Sequence, residues 1–437
     1  VNAEQLRVKA IGEGANMGVT QAARIAFAAN GGRVNTDFID NSAGVDCSDN
    51  EVNIKIALNP ELVSGTLKPD ARNSLLESMT DEVGALVLED NRLQALGLSI
   101  AEMGGTKNLP SYIRLIDQFE EQGQLNRAVE GLASNEDLVR RGQDAIENSD
   151  LGDDPGLNSE LLEAFPSAMQ KAHKTAILEH QLRREIIATK LANRMINRLG
   201  LIDPFELAEE EGCTLGEVAR AFVMAERLFH ADSLAYVLRS HMADLMRIGV
   251  SDDRIDDTVN MLAPGVNTLN ENVENLITAE GRLQAAIQVK ALVEAGATAD
   301  IAAQIANIYK NDGAAGIAYL AHSREIDPLE VAVAFTTVGS QLGLDWAQMT
   351  ATRINPSDPW DRLLVAGLAR DFQQMRLDFL RRTRGKDMPQ FVESWAERNI
   401  DRVAQFRKIM DRAQQTTKPS IAMLAQIAGQ ARLLLSR

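Results

Sequence analysis

Residues 6–56 contain two turns built around asparagine, Glu13-Gly14-Ala15-Asn16 and Asp40-Asn41-Ser42-Ala43-Gly44, the second followed by Val45 and Ser48. An asparagine side chain carries a carbonyl acceptor and an amide donor pair on a short stem, as recognition of an amide-bearing ligand requires. Gly12 and Gly14 allow close backbone approach and positive φ. The same residues are ordinary turn formers, so spacing alone leaves a ligand site and a plain turn both open.

The elements that must position these turns read as alternating strand and helix. Leu6, Val8 and Ala10 alternate with Arg7 and Lys9, the beat of a strand that stops in Gly12-Glu13-Gly14-Ala15-Asn16. Thr20 caps a helix through Asn30, whose alanines Ala22, Ala23, Ala26 and Ala29 suit close packing on a sheet, and Gly31-Gly32 ends it. Val34–Ile39 supplies a second strand, and the polar turn at 40–44 leads into a helix expected from about Ser48 to Leu58. Ligands sit at the carboxyl ends of strands in open α/β sheets, so Asn16 and Asn41 are placed to converge on one crevice.

At these residues the sequence resembles the amino-acid dehydrogenases of the glutamate dehydrogenase type, and specifically the very large bacterial NAD-dependent glutamate dehydrogenases. The resemblance is close over residues 6–58. The family's GAN turn stands as Glu13-Gly14-Ala15-Asn16, and its second signature as Asn41-Ser42-Ala43-Gly44-Val45-Asp46-Cys47-Ser48. Met17-Gly18-Val19-Thr20 follows the first Asn where smaller family members have proline, which is similar to the large subclass; Asn50 stands where that subclass is expected to have His. The run HQLRREIIATKLANRMINRLG, residues 180–200, carries the resemblance further along the chain.

The resemblance implies that the front is the end of a Rossmann-type nucleotide-binding domain and that the cofactor is NAD. Gly14, Asn16 and Asn41 would then be cofactor-binding, the two asparagines holding the nicotinamide carboxamide and its ribose. Val45 would line the substrate side-chain pocket. Ser48 would donate to the distal carboxylate of glutamate, helped by a place at a helix N-terminus. The implied reaction converts L-glutamate, NAD and water to 2-oxoglutarate, ammonia and NADH. The family's catalytic lysine and aspartate lie upstream of the matched region, so no catalytic residue is expected here. With Val1 first and no G-x-G-x-x-G opening a βαβ unit, the chain reads as the C-terminal part of a larger polypeptide, inactive alone. Two other readings are a helical assembly or regulatory scaffold and a dehydrogenase of a neutral amino acid.

Composition bounds the rest. A net charge of −17 offers no basic face for nucleic acid. No run approaches a membrane span. Two cysteines, Cys47 and Cys213, suit a reducing cytoplasm; Cys47 reads as a small packed thiol. The five histidines show no metal-ligand spacing. Unpaired strand edges are expected either to fold back on the helical body or to pair across a dimer, and a homo-oligomer is the expected state.

Beyond residue 60 the chain reads as helix after helix, giving a mainly α protein: a bundle-like C-terminal region behind a short α/β remnant. Helices are expected from Pro69 to about Met103, from Leu109 to Gly131 and unbroken from Phe165 to Leu199. Asn148–Gly156 reads as the clearest linker. The implied division is 1–58, 59–150 and 151–437. Thr214 should cap a helix through Phe229, further units run about 270–295, 299–309, 328–342, 357–382, 388–415 and 418–436, and Trp346, Trp360 and Trp395 read as core anchors. On the 180–200 run His180 and Arg184 should share a helix face with Arg183 and Glu185 nearby, either a contact for an effector or another domain or a solvated, salt-bridged surface.

Overall fold

The computed structural model describes residues 2–14, 18–127, 135–229, 235–250, 252–272, 276, 279–294, 296, 298–299, 313–354, 356–383 and 385–436. Among them are 22 α-helices and two short strands, so the chain is mainly helical. It divides into two units, one of residues to Gly105 with Gly123–Pro204, the other of Thr106–Gln122 with Phe205–Arg437.

The first unit opens with β1 (Ala10–Ile11), α1 (Gln21–Ala29) and β2 (Arg33–Val34). The strands pair in parallel, Ala10 opposite Arg33 and Ile11 opposite Val34, with α1 as the crossover that a parallel pair requires. Thr20 caps α1, its hydroxyl accepting from the Ala23 N–H at 3.3 Å. Gly32 is obligatory on packing grounds: a Cβ there would stand 2.2 Å from the Phe27 ring.

Both expected strands shrink. Leu6 and Val8 are 36% and 55% exposed, so the alternation has no buried face to hold it in a sheet. After Val34 the chain turns at once into α2 (Asp37–Asp40) and then α3 (Ser42–Ser64). The second helix therefore begins six residues before the expected Ser48, and Asn41 both closes α2 and opens α3. It also continues through Asn59-Pro60, expected as a stop, to Gly65 at φ 76. Pro60 removes one N–H from the ladder, which the packing of Ile54, Ala57 and Leu58, all at most 5% exposed, outweighs.

Helix α4 (Pro69–Gly104) packs along α3. Helix α5 (Leu109–Glu121) belongs to the second unit and stops ten residues short of the expected Gly131. The first unit continues with α6 (Asn135–Glu147), the short α7 (Asn158–Glu163), α8 (Ser167–Ala172) and α9 (Lys174–Leu178), and α10 (Arg183–Leu199). The expected unbroken helix from Phe165 is thus three pieces. His180 explains the second break: its Nδ1 accepts the Leu182 N–H at 3.0 Å and its Nε2 meets the Asn53 carbonyl of α3 at 3.0 Å. The ring takes a backbone donor that a continuous helix would have spent on the preceding turn. At the first break His173 Nδ1 reaches Glu61 of α3 at 2.7 Å.

The 148–156 stretch folds as 3-10 turns at Leu151–Asp153 and Pro155–Leu157, with Leu151 and Leu157 fully buried. Arg183 donates to the Gly152 and Asp154 carbonyls and to Asn158 Oδ1 at 3.2, 3.3 and 2.7 Å. Arg184 donates to the Glu147 and Ser149 carbonyls, both at 2.7 Å, and pairs with Asp153. The cluster that read as a surface or effector face holds this segment against α10. His180 lies outside the helix, so it does not share a helical face with Arg184.

The second unit holds α5, most of α11 (Asp203–Glu211), and then α12 (Leu215–Phe229), α13 (Ala235–Arg247), α14 (Ile255–Glu271), α15 (Ala279–Glu294), α16 (Ala314–Arg324), α17 (Pro328–Leu342), α18 (Leu344–Arg353), α19 (Pro359–Leu380), α20 (Met388–Arg398), α21 (Ile400–Gln414) and α22 (Ile421–Leu435). Thr214 and Glu217 form a reciprocal capping box on α12. Asp327 and Asp358 cap α17 and α19 ahead of Pro328 and Pro359. Phe335, Phe372, Phe379, Trp395 and Met410 anchor one continuous core. Trp360, expected there, is 68% exposed beneath the Arg114 guanidinium. Residues 388–415 break at Asn399 into two helices, and α14 carries an internal Pro264 that hid it from the sequence. The helix expected at 299–309 and His230 lie almost wholly outside the described residues.

Candidate functional site

The start of the first asparagine turn is tied by its backbone to the residue before Asn41. Glu13 N–H donates to Asp40 Oδ2 at 2.9 Å, joining the residue before Gly14 to the residue before Asn41. The Glu13 carboxylate bends back over its own loop, accepting from the Gly18 and Val19 N–H groups and from Arg24 Nη2 at 2.6 Å. Arg24 in turn reaches Asp37 at 3.2 Å. Glu13 and Arg24 are 6% and 8% exposed, and the Arg24 hydrogen bond holds the Glu13 carboxyl below its usual range against the opposing effect of burial. From α4, Asn91 Nδ2 donates to the Ile39 carbonyl at 3.3 Å and to Ser42 Oγ at 2.6 Å, bracketing Asn41. None of these positioning residues stood out in the sequence; the acidic residue before each turn was the available signal.

Asn16 lies outside the described residues. Gly14 is exposed, and a Cβ built on it would have no neighbour within 4 Å, leaving the open rim that close backbone approach of a ligand needs. Asn41 is half-buried with its side chain over Gly44, where a Cβ would stand 2.9 Å from Asn41 Oδ1. At about 100° per residue, Asn41, Val45, Ser48 and Val52 fall on one stripe of α3. That stripe faces outward: Val45 is 57% and Val52 48% exposed. Ser48 is exposed and its hydroxyl donates to the Gly44 carbonyl at 3.2 Å. Its place is the second turn of α3, so the free N–H groups of a helix N-terminus belong to the first turn, ahead of Ser48.

The opposite stripe turns inward through Asp46, Asn50, Ile54 and Ala57. Asn50 is 5% exposed and donates to the Asp46 carbonyl oxygen and Oδ1 at 2.9 and 3.2 Å. Cys47 is exposed, contrary to the packed thiol expected. Cys213 is half-buried, its thiol pushed up to about 12 mainly by burial. Among the described residues no group of three or more His, Cys, Asp or Glu is arranged to hold a metal, and no helix is long and apolar enough to cross a membrane.

Residues 1–101 match the family described as bacterial NAD-glutamate dehydrogenase, catalytic domain. Residues 142–240 and 234–432 match glutamate dehydrogenase, C-terminal. The chain belongs to the bacterial NAD-glutamate dehydrogenase family. Its curated relatives include proteins named NAD-specific glutamate dehydrogenase from Halomonas elongata, 34% identical over 82% of this chain and 25% of the relative, and from Pseudomonas aeruginosa, 31% identical over 97% and 29%. A third, from Mycobacterium tuberculosis, is 29% identical over 99% and 30%. The chain therefore spans between a quarter and a third of the length of these relatives.

Proposed function

We propose that this chain supplies the cofactor and substrate rim, together with the helical region that follows it in sequence, of an enzyme that converts L-glutamate, NAD and water to 2-oxoglutarate, ammonia and NADH. The observation that carries the reading is the Glu13 N–H to Asp40 bond, which ties the residue before Gly14 to the residue before Asn41. In this reading β1–α1–β2 closes a dinucleotide-binding domain, within a functional division at 1–58, 59–150 and 151–437. Asn41, with Asn16 and the bare backbone of Gly14, holds the nicotinamide carboxamide and ribose. NAD, when bound, accepts the hydride from the substrate α-carbon. Val45 and Ser48 stand on the same outward stripe of α3 as Asn41, so a substrate beside the nicotinamide meets them directly. Ser48 then donates to the distal carboxylate through its hydroxyl alone, exchanging its bond to Gly44.

The family's catalytic lysine and aspartate are read as lying upstream of the residues that match it here, so on this reading the 437 residues alone do not turn over glutamate. Assembly as a homo-oligomer and a cytoplasmic setting belong to the same reading. The two-stranded sheet leaves both outer edges without a strand partner among the described residues, and neither cysteine is in a disulfide. The test is NADH formation by the intact enzyme, at the length of its relatives, over a panel of amino acids. Turnover with glutamate and not with neutral amino acids is expected; turnover with neutral amino acids, or none, contradicts the reading.

A further inference from the structure

Directly beneath Val45 and Ser48, on the inward stripe of α3, Asp46 meets a charged pair contributed by two other helices. Lys190 of α10 holds Asp90 of α4 at 2.5 Å and stands 3.9 Å from Asp46 Oδ1. Asn50 donates to the same Oδ1. Oδ2 of Asp46 is buried and has no hydrogen-bond donor. Two carboxyl groups thus face one lysine, and one of their oxygens lacks a proton to accept. Asp90 bears on Asp46 as a like charge and as a hydrogen-bonding neighbour; two such carboxyls do not both ionise readily, and a proton placed between them satisfies the orphaned oxygen while leaving one net charge for Lys190. Asp90 and Lys190 also line a cleft of about 170 Å³ with Glu160, Glu163, Arg194 and Asn197, which opens the pair to exchange with solvent.

The surroundings bear on that proton from each packed element. On α3 itself Asp49 adds negative charge. On α4 Glu89 is occupied by Arg92 at 2.6 Å, and from α10 Arg194 lies 3.6 Å from Glu160 of α7. The segment after α8 contributes His173, bound to Glu61, and His180, bound to the Asn53 carbonyl; neither pairs with Asp46. Burial is the main cause raising Asp46 to about 6, with Lys190 opposing it and Asp90 adding to it.

We propose that Asp46 is a positioning residue for substrate recognition: it shares one proton with Asp90 under Lys190, and this carboxyl pair fixes the rotation of α3 that presents Val45 and Ser48 to the substrate. The inference rests on the reading of Val45 and Ser48 as substrate contacts. It adds that the inner stripe of the same helix carries a titrating clamp. Losing the proton sets Asp46 against Asp90 and loosens the seat of α3, so the change registers in KM for glutamate more than in kcat.

The experiment follows KM for glutamate in the intact enzyme between pH 5 and 8 for wild type, Asp46→Asn, Asp90→Asn and Lys190→Met, with Ser48→Ala alongside. Wild type should show an inflection near pH 6, KM rising roughly threefold or more as the proton leaves. Asp46→Asn, which keeps the shape and donates permanently, should abolish the inflection, and Asp90→Asn, which removes the like charge but leaves Asp46 to titrate, should move it to lower pH. Lys190→Met should move it to higher pH, because the cation favouring ionisation is gone. An inflection unchanged in both carboxamide variants overturns the proposal. If Ser48→Ala leaves glutamate kinetics unchanged, the substrate reading fails instead. Thermal melting against pH then reads the proton without glutamate: Asp46→Asn should melt above wild type at pH 8 with the gap closing by pH 5, and parallel curves sink the shared proton.

Discussion

Asp40 is the residue through which the first asparagine turn feels the second. Its carboxylate accepts from the Glu13 N–H and from Asn35 Nδ2 at 3.1 Å, so Asp40→Ala leaves a part-buried donor unmatched and frees the 12–14 backbone from Asn41. A cost of about 1–2 kcal/mol predicts that KM for NAD rises roughly five- to thirtyfold with a smaller change in kcat; a KM for NAD equal to wild type would show that the turns are held by something else. Asn41, Val45 and Ser48 were singled out by resemblance to the family's second signature, the residues alone leaving a plain turn open as well. What hid was their support. Asp40 and Glu13 look like any turn carboxylates until the fold brings 27 residues of separation to one hydrogen bond, and Ser42-Ala43-Gly44 reads as loop because glycine and serine are poor helix formers, though α3 begins there.

At the scale of elements, the sequence showed helix starts that carry their own caps and missed ends decided by distant partners. Thr214 with Glu217, Asp327 before Pro328 and Asp358 before Pro359 satisfy orphan N–H groups locally, and these starts read correctly. The breaks between Phe165 and Leu199 depend on Asn53 and Glu61 of α3, more than a hundred residues away, which no local pattern encodes. The 148–157 segment is a similar case: polar and glycine-rich by composition, it is fixed because Arg183 and Arg184 take up its carbonyls. Arg183→Met removes two of those carbonyl bonds and the one to Asn158 Oδ1 and should destabilise the first unit by about 2–4 kcal/mol, with new proteolytic cleavage between residues 148 and 157. Unfolding midpoints and cleavage sites equal to wild type would contradict that role.

For the molecule as a whole, acid acts on the two units in opposite senses through their buried groups. In the second unit His241 stacks on Phe229 at 3.6 Å and its Nδ1 has no hydrogen-bond partner. Burial lowers it from 6.5 to about 4. The folded state keeps it neutral while the unfolded chain protonates, so its contribution is complete above pH 6.5 and is lost as pH falls toward 4. By pH 5 that loss is about 2 kcal/mol, and His241→Leu should show a correspondingly smaller drop in urea midpoint between pH 7.5 and 5; equal drops would place the acid sensitivity elsewhere. In the first unit Asp46, raised to about 6, has the opposite sign: its contribution is complete below 3.8 and is lost as pH rises through 6. A helical chain was readable from periodicity, and the strand–helix–strand order at its front in part, since each strand keeps two residues and 37–40 is helix; the division into two units, with α5 in the second while the residues on either side of Thr106–Gln122 belong to the first, depends on packing partners far apart in sequence. Whether the outward stripe of α3 reads glutamate is measured most directly by kcat/KM for glutamate in the intact enzyme carrying Ser48→Ala. A fall of about 1–3 kcal/mol in transition-state binding is the predicted result, and an unchanged kcat/KM would remove Ser48, and with it the stripe, from the site.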